Sequence, residues 1–549
     1  MAEGAVDEMD MKRSMRDFLI TYNKISEMCF MDCIDDFSKR EVKSNEDGCA
    51  MNCIKKYLKV NERIGQLTTV FPHQPAASVM DARAQGGHVL AGSLEPDLNQ
   101  RPKDHRCNIY SRDLASRYGT PSYVYSQAGI LANLAAYKRG LDSSSSLLCF
   151  PVKSNGTLAI LDLLHRNGSG FDVASLYELK KALYIGALPE NIVFTGVGKS
   201  TEELKEGLDV GILAFHIESW QELDRLEESG TCYKTVPVSI RVNPAVTANT
   251  HPYVATGDKN QKFGVPYDEV EEMFQRIKAS SNLEAKGIAY HVGSQILNLE
   301  PFLEARDKIL KIVDSLRNKG ITLEYVDVGG GIGIPYQDED PRPDVENWVR
   351  EIVRPIVDRR MRVIMEPGRS VLAEAGVLLT RVEYVKPGAE DGFTELLRPC
   401  LYGSRHTILP INPRSNGPLR RYNVVGPVCE ASDFLALDWY SGPVEEGDVL
   451  AVKAVGAYGS AMASNFSARP RAPEIMVRGD KSFMIRTRET FDQLIQRDLM
   501  VSPEKINFYP AEFPHHSGST CLGALPFLAV HPPGALNGPE KSYSTSSFY

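Results

Sequence analysis

Lys153 closes a short apolar run, Leu147 to Val152, and an amine presented at such a place can do what a solvated lysine rarely does: condense with an aldehyde. A surface charge or half of a structural ion pair are the plainer readings of the same residue. Other residues at the ends of similar runs favour the chemical one, because together they offer a phosphate cradle, a platform for a ring and a partner for a ring nitrogen. Gly329, Gly330 and Gly331 end one run, where backbone N–H groups can approach phosphate because no Cβ intervenes; a tight turn is the alternative. Glu366, in Glu-Pro-Gly-Arg, sets a carboxylate beside Arg369 and could keep a pyridine nitrogen protonated, unless the two form only an internal ion pair. His291, in His-Val-Gly-Ser, would lie flat on a ring with Ser294 near the phosphate, although a lone histidine is more often a core residue. The cofactor that needs all of these is pyridoxal phosphate. A dinucleotide-binding reading of the glycines fails, since that fingerprint needs glycine where Ile334 stands and opens a βαβ unit rather than ending a late strand.

The elements that must position these residues repeat. Strand-like runs cover 147–154, 168–175, 192–198, 212–219, 237–244, 287–294, 325–331 and 362–369, each followed by a helix-like stretch. Their ends carry Lys153, Asp172, Gly196 and Gly198, Glu218, Arg241 and Asn243, His291 and Ser294, the three glycines, and Glu366 to Arg369. Eight such units predict an α/β fold, a (β/α)8 barrel over 146–375 whose active site lies at the C-terminal strand ends. After Arg369 the strands come closer together, as in Val377 to Val385 and Val449 to Val455, which predicts a C-terminal β-domain over 376–498. Residues 105–145, with the strand-like Ser122 to Ser126, open the enzyme region and contribute to that domain.

Ahead of it, 11–66 reads as a small α-helical hairpin around the turn Ser44 to Gly48, with apolar residues at steps of three or four. Cys29 and Cys33 form one C-x3-C and Cys49 and Cys53 another. On facing helices Cys29 could meet Cys53 while Cys33 meets Cys49, giving two disulfides; a four-thiolate zinc site and free core thiols are the competing readings. Residues 67–104 are rich in Gly, Pro, Ala, Gln and His and read as a linker; 499–549 reads as an irregular tail. A net charge of -9 without a long basic run argues against nucleic acid as a partner, and no stretch reaches the roughly 20 apolar residues of a membrane span. The acidic start, Met1 to Asp10, has neither a secretory core nor an Arg-rich presequence.

Two resemblances emerge. The motifs Val-Lys-Ser-Asn, Gly-Phe-Asp-Val-Ala-Ser, His-Val-Gly-Ser, Asp-Val-Gly-Gly-Gly, Glu-Pro-Gly-Arg, Gly-Pro-Val-Cys-Glu and Gly-Ala-Tyr-Gly stand in the order of the diaminopimelate decarboxylases, which have the alanine-racemase-like fold. This resemblance implies decarboxylation of meso-diaminopimelate to L-lysine, with pyridoxal phosphate held by Lys153, Asp172, Arg241, His291, Ser294, Gly329, Gly330, Gly331, Glu366, Gly368, Arg369 and Tyr458. It implies that Arg369, Arg398, Tyr402, Glu430 and Tyr458 recognise substrate, that Cys429 donates the proton replacing the lost carboxylate, and that a homodimer shares its active sites through the Cys-Glu segment. The chemistry agrees: Arg398 and Glu430 suit a distal carboxylate and ammonium. An ornithine decarboxylase would leave two arginines unmatched, and an alanine racemase would set arginine, not glutamate, against the pyridine nitrogen.

The twin C-x3-C segment resembles the small import chaperones of the mitochondrial intermembrane space, implying disulfides, that compartment and such chaperones as partners. A cytoplasmic enzyme is the competing location. Two departures stand out: about ten residues of a β-domain strand are missing before Arg398, where only Asp391 to Leu397 remain, and Pro151 replaces a small residue beside Lys153. The first motivates a different reading, an import chaperone whose decarboxylase portion is degenerate.

Overall fold

The computed structural model describes residues 105–141, 146–247, 262–386, 396–414, 417–430 and 432–499; the twin cysteine motif of Cys29, Cys33, Cys49 and Cys53, the linker, and the tail from residue 500 lie outside them. The described chain opens with α1 (His105–Tyr118), β1 (Ser122–Ser126) and α2 (Gln127–Leu141). Strands and helices then alternate: β2 (Leu147–Pro151), α3 (Leu158–Arg166), β3 (Gly170–Val173), α4 (Leu176–Tyr184), β4 (Ile192–Phe194), α5 (Thr201–Val210), β5 (Ala214–Ile217), α6 (Trp220–Ser229) and β6 (Val236–Asn243). After the two-residue β7 (Val265–Pro266) come α7 (Val270–Ala279), β8 (Leu283–Tyr290), α8 (Glu300–Asn318), β9 (Tyr325–Asp327), α9 (Val345–Val357) and β10 (Arg362–Met365).

Pairing runs β5-β4-β3-β2-β10-β9-β8-β6, and β5 also pairs with β6, so eight parallel strands close a barrel, as expected. Strands buried on both faces need apolar residues at nearly every position, and β2 to β5 are buried throughout. Each helix buries one stripe instead; α9 does so with Val349, Ile352, Val353 and Ile356. Three helix starts use one local device. Ser175, Ser200 and Ser219 each accept the N–H of a glutamate three residues on, Glu178, Glu203 and Glu222, which fixes the turn out of the preceding strand. Every apolar run holds one barrel strand, but the ladder stops one to four residues short of the run's end. The difference has a physical reason: rim residues must leave the ladder to face the mouth.

The second sheet is antiparallel except at one pair, in the order β12-β15-β11-β1-β16-β17, with β11 (Gly376–Arg381), β12 (Ile408–Pro410), β15 (Val449–Val452), β16 (Glu474–Arg478) and β17 (Lys481–Arg486). A separate hairpin joins β13 (Arg420–Val425) to β14 (Phe434–Ser441). β1 precedes the barrel in sequence yet pairs with both β11 and β16, tying the chain's two ends of the enzyme region together. The shortened segment before Arg398 does not leave the sheet open, because β11 and β15 are each paired on both edges. Pro151 is the last residue of β2, followed by a single 3-10 turn, so its missing N–H falls at a strand end where a ladder tolerates it. Among the described residues no helix is long and apolar enough to cross a membrane.

Candidate active site

The loop after β2 is anchored before it does anything else. Glu474, fully buried on β16, accepts hydrogen bonds from the Tyr125 hydroxyl at 2.7 Å and the Thr157 hydroxyl at 2.9 Å, while the Asn155 amide donates to Tyr125 at 3.1 Å. The β-domain thereby fixes the turn that presents Lys153. At the mouth, Lys153 Nζ donates to Asp172 Oδ2 at 2.6 Å, and Thr195 Oγ1 donates to the other oxygen of that carboxylate at 2.5 Å. Burial disfavours the lysine's charge, but the Asp172 and then the Glu366 carboxylates overcome it and hold the amine above its ordinary pKa. Asp172 is shifted downward: burial opposes its ionisation, and Lys153 and the Thr195 hydroxyl outweigh burial.

Two further carboxyls sit beneath. Asp327 and Glu366 flank His216, with His216 Nε2 3.7 Å from Asp327 and Nδ1 3.9 Å from Glu366. Burial, opposed by the Gly329 N–H and reinforced by Asp172, pushes Asp327 up to about 7. Burial and the charges of Asp172 and Asp327 raise Glu366 well above its usual range. His216 is forced down to about 3, chiefly by burial, so at neutral pH it adds no positive charge to balance them. Asp327 Oδ2 and His216 Nε2 are buried without a hydrogen-bond partner among the described residues. Arg241, expected at the rim, donates to Glu218 at 2.9 Å and stacks on Phe263; Glu218 also accepts the N–H groups of Gly196 and Gly264.

The glycine run behaves differently from the expectation. The Gly329 N–H donates to Asp327 at 2.8 Å and the Gly330 N–H to His291 Nδ1 at 3.2 Å, so these two shape the loop and only Gly331 keeps its N–H uncommitted among the described residues. Crowding explains the glycines: a Cβ on Gly330 would lie 2.1 Å from the Glu366 carbonyl oxygen, and one on Gly331 2.2 Å from that of Gly293. Gly368 is similar, its Cβ position lying 2.1 Å from the Ser154 hydroxyl. His291, accepting at Nδ1 and driven to about 3 by burial and then by Arg241 and Lys153, is a neutral ring at physiological pH.

Arg369 and Arg398 face the same cavity, of about 370 Å³, as Lys153, Arg241, His291, Glu366, Tyr402 and Tyr458. Both arginines are buried, at 6% and 3% exposure, and neither meets a carboxylate among the described residues. Arg369 donates to the Ser294 hydroxyl at 2.8 Å, and Arg398 lies over the rings of Tyr402 and Tyr458 at 5.3 and 5.7 Å. Tyr458 takes a left-handed φ of 58°, and its N–H donates to the Ser154 carbonyl, returning it to the Lys153 loop. Asp172, Gly329 and Gly330 lie behind the lining of this cavity, and two further expected residues, Cys429 and Glu430, do not line it either. Cys429 is exposed, and Glu430 lines a separate cavity with Leu396, Cys400 and Phe434. Tyr336, His216 and Asp327 were not singled out from the sequence; Asp327 was legible as the acid opening the Asp-Val-Gly-Gly-Gly motif, whereas nothing local marks the other two.

Residues 127–373 match the family model described as the pyridoxal-dependent decarboxylase, pyridoxal binding domain. The diaminopimelate decarboxylase of Pseudomonas aeruginosa is 44% identical over 389 residues, 69% of this chain and 93% of that protein. The chain belongs to the diaminopimelate decarboxylase family. A crystal structure of the Helicobacter pylori diaminopimelate decarboxylase complexed with L-lysine matches with a TM-score of 0.67 and 39% identity, covering 70% of this chain and 98% of that one. The lysine decarboxylase of Selenomonas ruminantium shares the fold at 27% identity and a TM-score of 0.59, over 67% of this chain and 94% of that one. Residues 7–69 match a second model, the Tim10/DDP family zinc finger, which spans both C-x3-C motifs.

Proposed function

We propose that the protein decarboxylates meso-2,6-diaminopimelate to L-lysine and carbon dioxide with pyridoxal phosphate held by Lys153. The observation that carries this reading is the pair of buried guanidiniums, Arg369 and Arg398, turned to the cavity of Lys153 and without a carboxylate partner among the described residues. A buried cation without a partner is costly, and an anionic end of the substrate removes that cost. The residues fit the cofactor. Asp172, Asp327 and Glu366 crowd together beside a neutral His216, and a ring carrying a positive nitrogen supplies the charge that cluster lacks. Pyridoxal phosphate, when bound, supplies the electron sink for the pair left behind by carbon dioxide.

The chain's own residues do the rest. Asp172 holds the Lys153 amine protonated and oriented, and its carboxylate is placed to accept the proton that the amine would have to release before bonding the cofactor. Glu366 ionises against the ring nitrogen, and the neutral, flat His291 is suited to lie on the ring. Gly331 and Gly368 let the phosphate come close, with Ser294 and Arg241 nearby. Arg369 and Arg398 bind the distal carboxylate between the walls of Tyr402 and Tyr458. Cys429 and Glu430, which do not line this cavity, serve the site of a second copy in a homodimer, where Cys429 supplies the proton to the decarboxylated carbon and Glu430 the acceptor for the distal ammonium. The alternative, an import chaperone with a degenerate enzyme portion, gives this constellation no purpose. Offering the purified protein meso-diaminopimelate and L-lysine in parallel tests the reading: rapid carbon dioxide release from the first and little from the second is expected, and equal rates would refute the role of the arginines.

For residues 7–69 we infer a twin-disulfide hairpin that associates with small import chaperones and directs the protein to the mitochondrial intermembrane space. Fractionated mitochondria check this; enzyme recovered only in the cytosol overturns it.

A further inference from the structure

We infer that Tyr336 is the positioning residue that holds Arg369 and Arg398 as one carboxylate seat, an inference that rests on the substrate reading above. Its phenol oxygen accepts from Arg369 Nη1 at 2.6 Å and from Arg398 Nη2 at 3.2 Å. Two guanidiniums brought to one atom repel each other, so something must compensate them. The two N–H bonds donated to the phenol oxygen do so in part. Tyr336 is itself locked. Its carbonyl accepts from Thr407 Oγ1 at 2.8 Å, its N–H donates to Asp340 at 2.9 Å, and the His406 ring meets it edge-on at 4.8 Å. It borders a different cavity, with Gln337, Arg342 and Glu374, so it reaches the substrate only through the arginines.

A planar guanidinium fixed at one N–H cannot swing freely, and its remaining donors keep one direction. Both arginines are therefore aimed before the substrate arrives, which removes part of the ordering cost of binding. The Ser404 hydroxyl, accepting from Arg398 at 3.3 Å, is too weak a contact to do this alone.

Tyr336→Phe keeps the ring and removes the oxygen. We expect KM for meso-diaminopimelate to rise on the order of tenfold or more, the loss of a charge-assisted hydrogen bond, with kcat within about threefold of wild type. The inhibition constant of L-lysine, whose carboxylate is the distal one that the reaction leaves in place, should rise in parallel with KM, while the cofactor's visible absorbance should hold. Tyr336→Leu, which also removes the ring, should raise KM further with the same split. An unaltered KM in Tyr336→Phe, or an inhibition constant of L-lysine that stays at the wild-type value while KM rises, overturns the inference. If the wild type turns over diaminopimelate and Tyr336→Phe matches it, this inference alone fails; if the wild type does not, the substrate reading fails and takes this with it.

Discussion

Replacing Arg398 by Met removes a guanidinium while keeping most of the stem's volume. In the wild type this group is 3% exposed, lies 5.3 to 5.8 Å from the rings of Tyr402, Tyr458 and Tyr336, and lacks a carboxylate partner among the described residues. If it binds the distal carboxylate, its loss takes away a charge-assisted hydrogen bond, worth about 1.5–3 kcal/mol, and half the positive charge of the seat. Truncating one member of a buried ion pair costs about 2–5 kcal/mol, and the remaining Arg369 keeps the loss in the lower part of that range. At 1.36 kcal/mol per tenfold, about 2–4 kcal/mol is a fall of roughly 30- to 1000-fold in kcat/KM. Stability should move the other way. Burying this cation without a counter-charge disfavours the folded state, so Arg398→Met should hold or raise the melting temperature of substrate-free protein. Steady-state carbon dioxide release and a thermal scan read the two effects. A fall in kcat/KM of less than about threefold with normal cofactor absorbance would refute the assignment, and so would a lowered melting temperature with unaltered kinetics.

Asp327→Asn tests the carboxyl cluster. With Asp327 raised to about 7 in the folded protein and near 4 unfolded, the folded state holds a proton across that window which the unfolded state has released. Stability therefore falls as pH rises from about 4 to 7, by up to about 1.4 kcal/mol per pH unit, and Asn should reduce that slope by about one proton; denaturant midpoints of cofactor-free protein from pH 4.5 to 7.5 check this, and equal slopes would contradict it. Gly330→Ala places a methyl 2.1 Å from the Glu366 carbonyl oxygen, so the loops after β9 and β10 must part. Pyridoxal phosphate affinity should fall at least tenfold, measured by titrating its absorbance, and wild-type affinity would show that the two loops have room to separate.

The barrel was legible because a strand buried on both faces must be apolar along its length, and eight such runs left a regular mark. The rim residues were legible because each follows a run directly, as Lys153 follows Val152 and Glu366 follows Met365. Strand ends were less so: hydrophobicity continues past Pro151 and Asp327, into Val152 and Val328, beyond the last residues of β2 and β9. The β-domain's topology was hidden for another reason. β1 and β16 pair across more than 340 residues, and nothing in either segment names its partner. Tyr336 and His216 escaped because their roles depend on what the fold brings to them, two arginines in one case and two carboxyls in the other. Gly329 and Gly330 were read as phosphate donors, but their N–H groups turn to Asp327 and His291, a choice that only the folded loop reveals.

The most direct test of the account is to measure carbon dioxide and L-lysine together, from meso-diaminopimelate, using purified full-length protein with pyridoxal phosphate beside its Lys153→Ala variant. The two products should appear in equal amounts with the wild type and fall to background with the variant, which should also lose the absorbance of the lysine-held cofactor. Equal turnover by wild type and variant, or none by a correctly folded wild type that has taken up the cofactor, would contradict it.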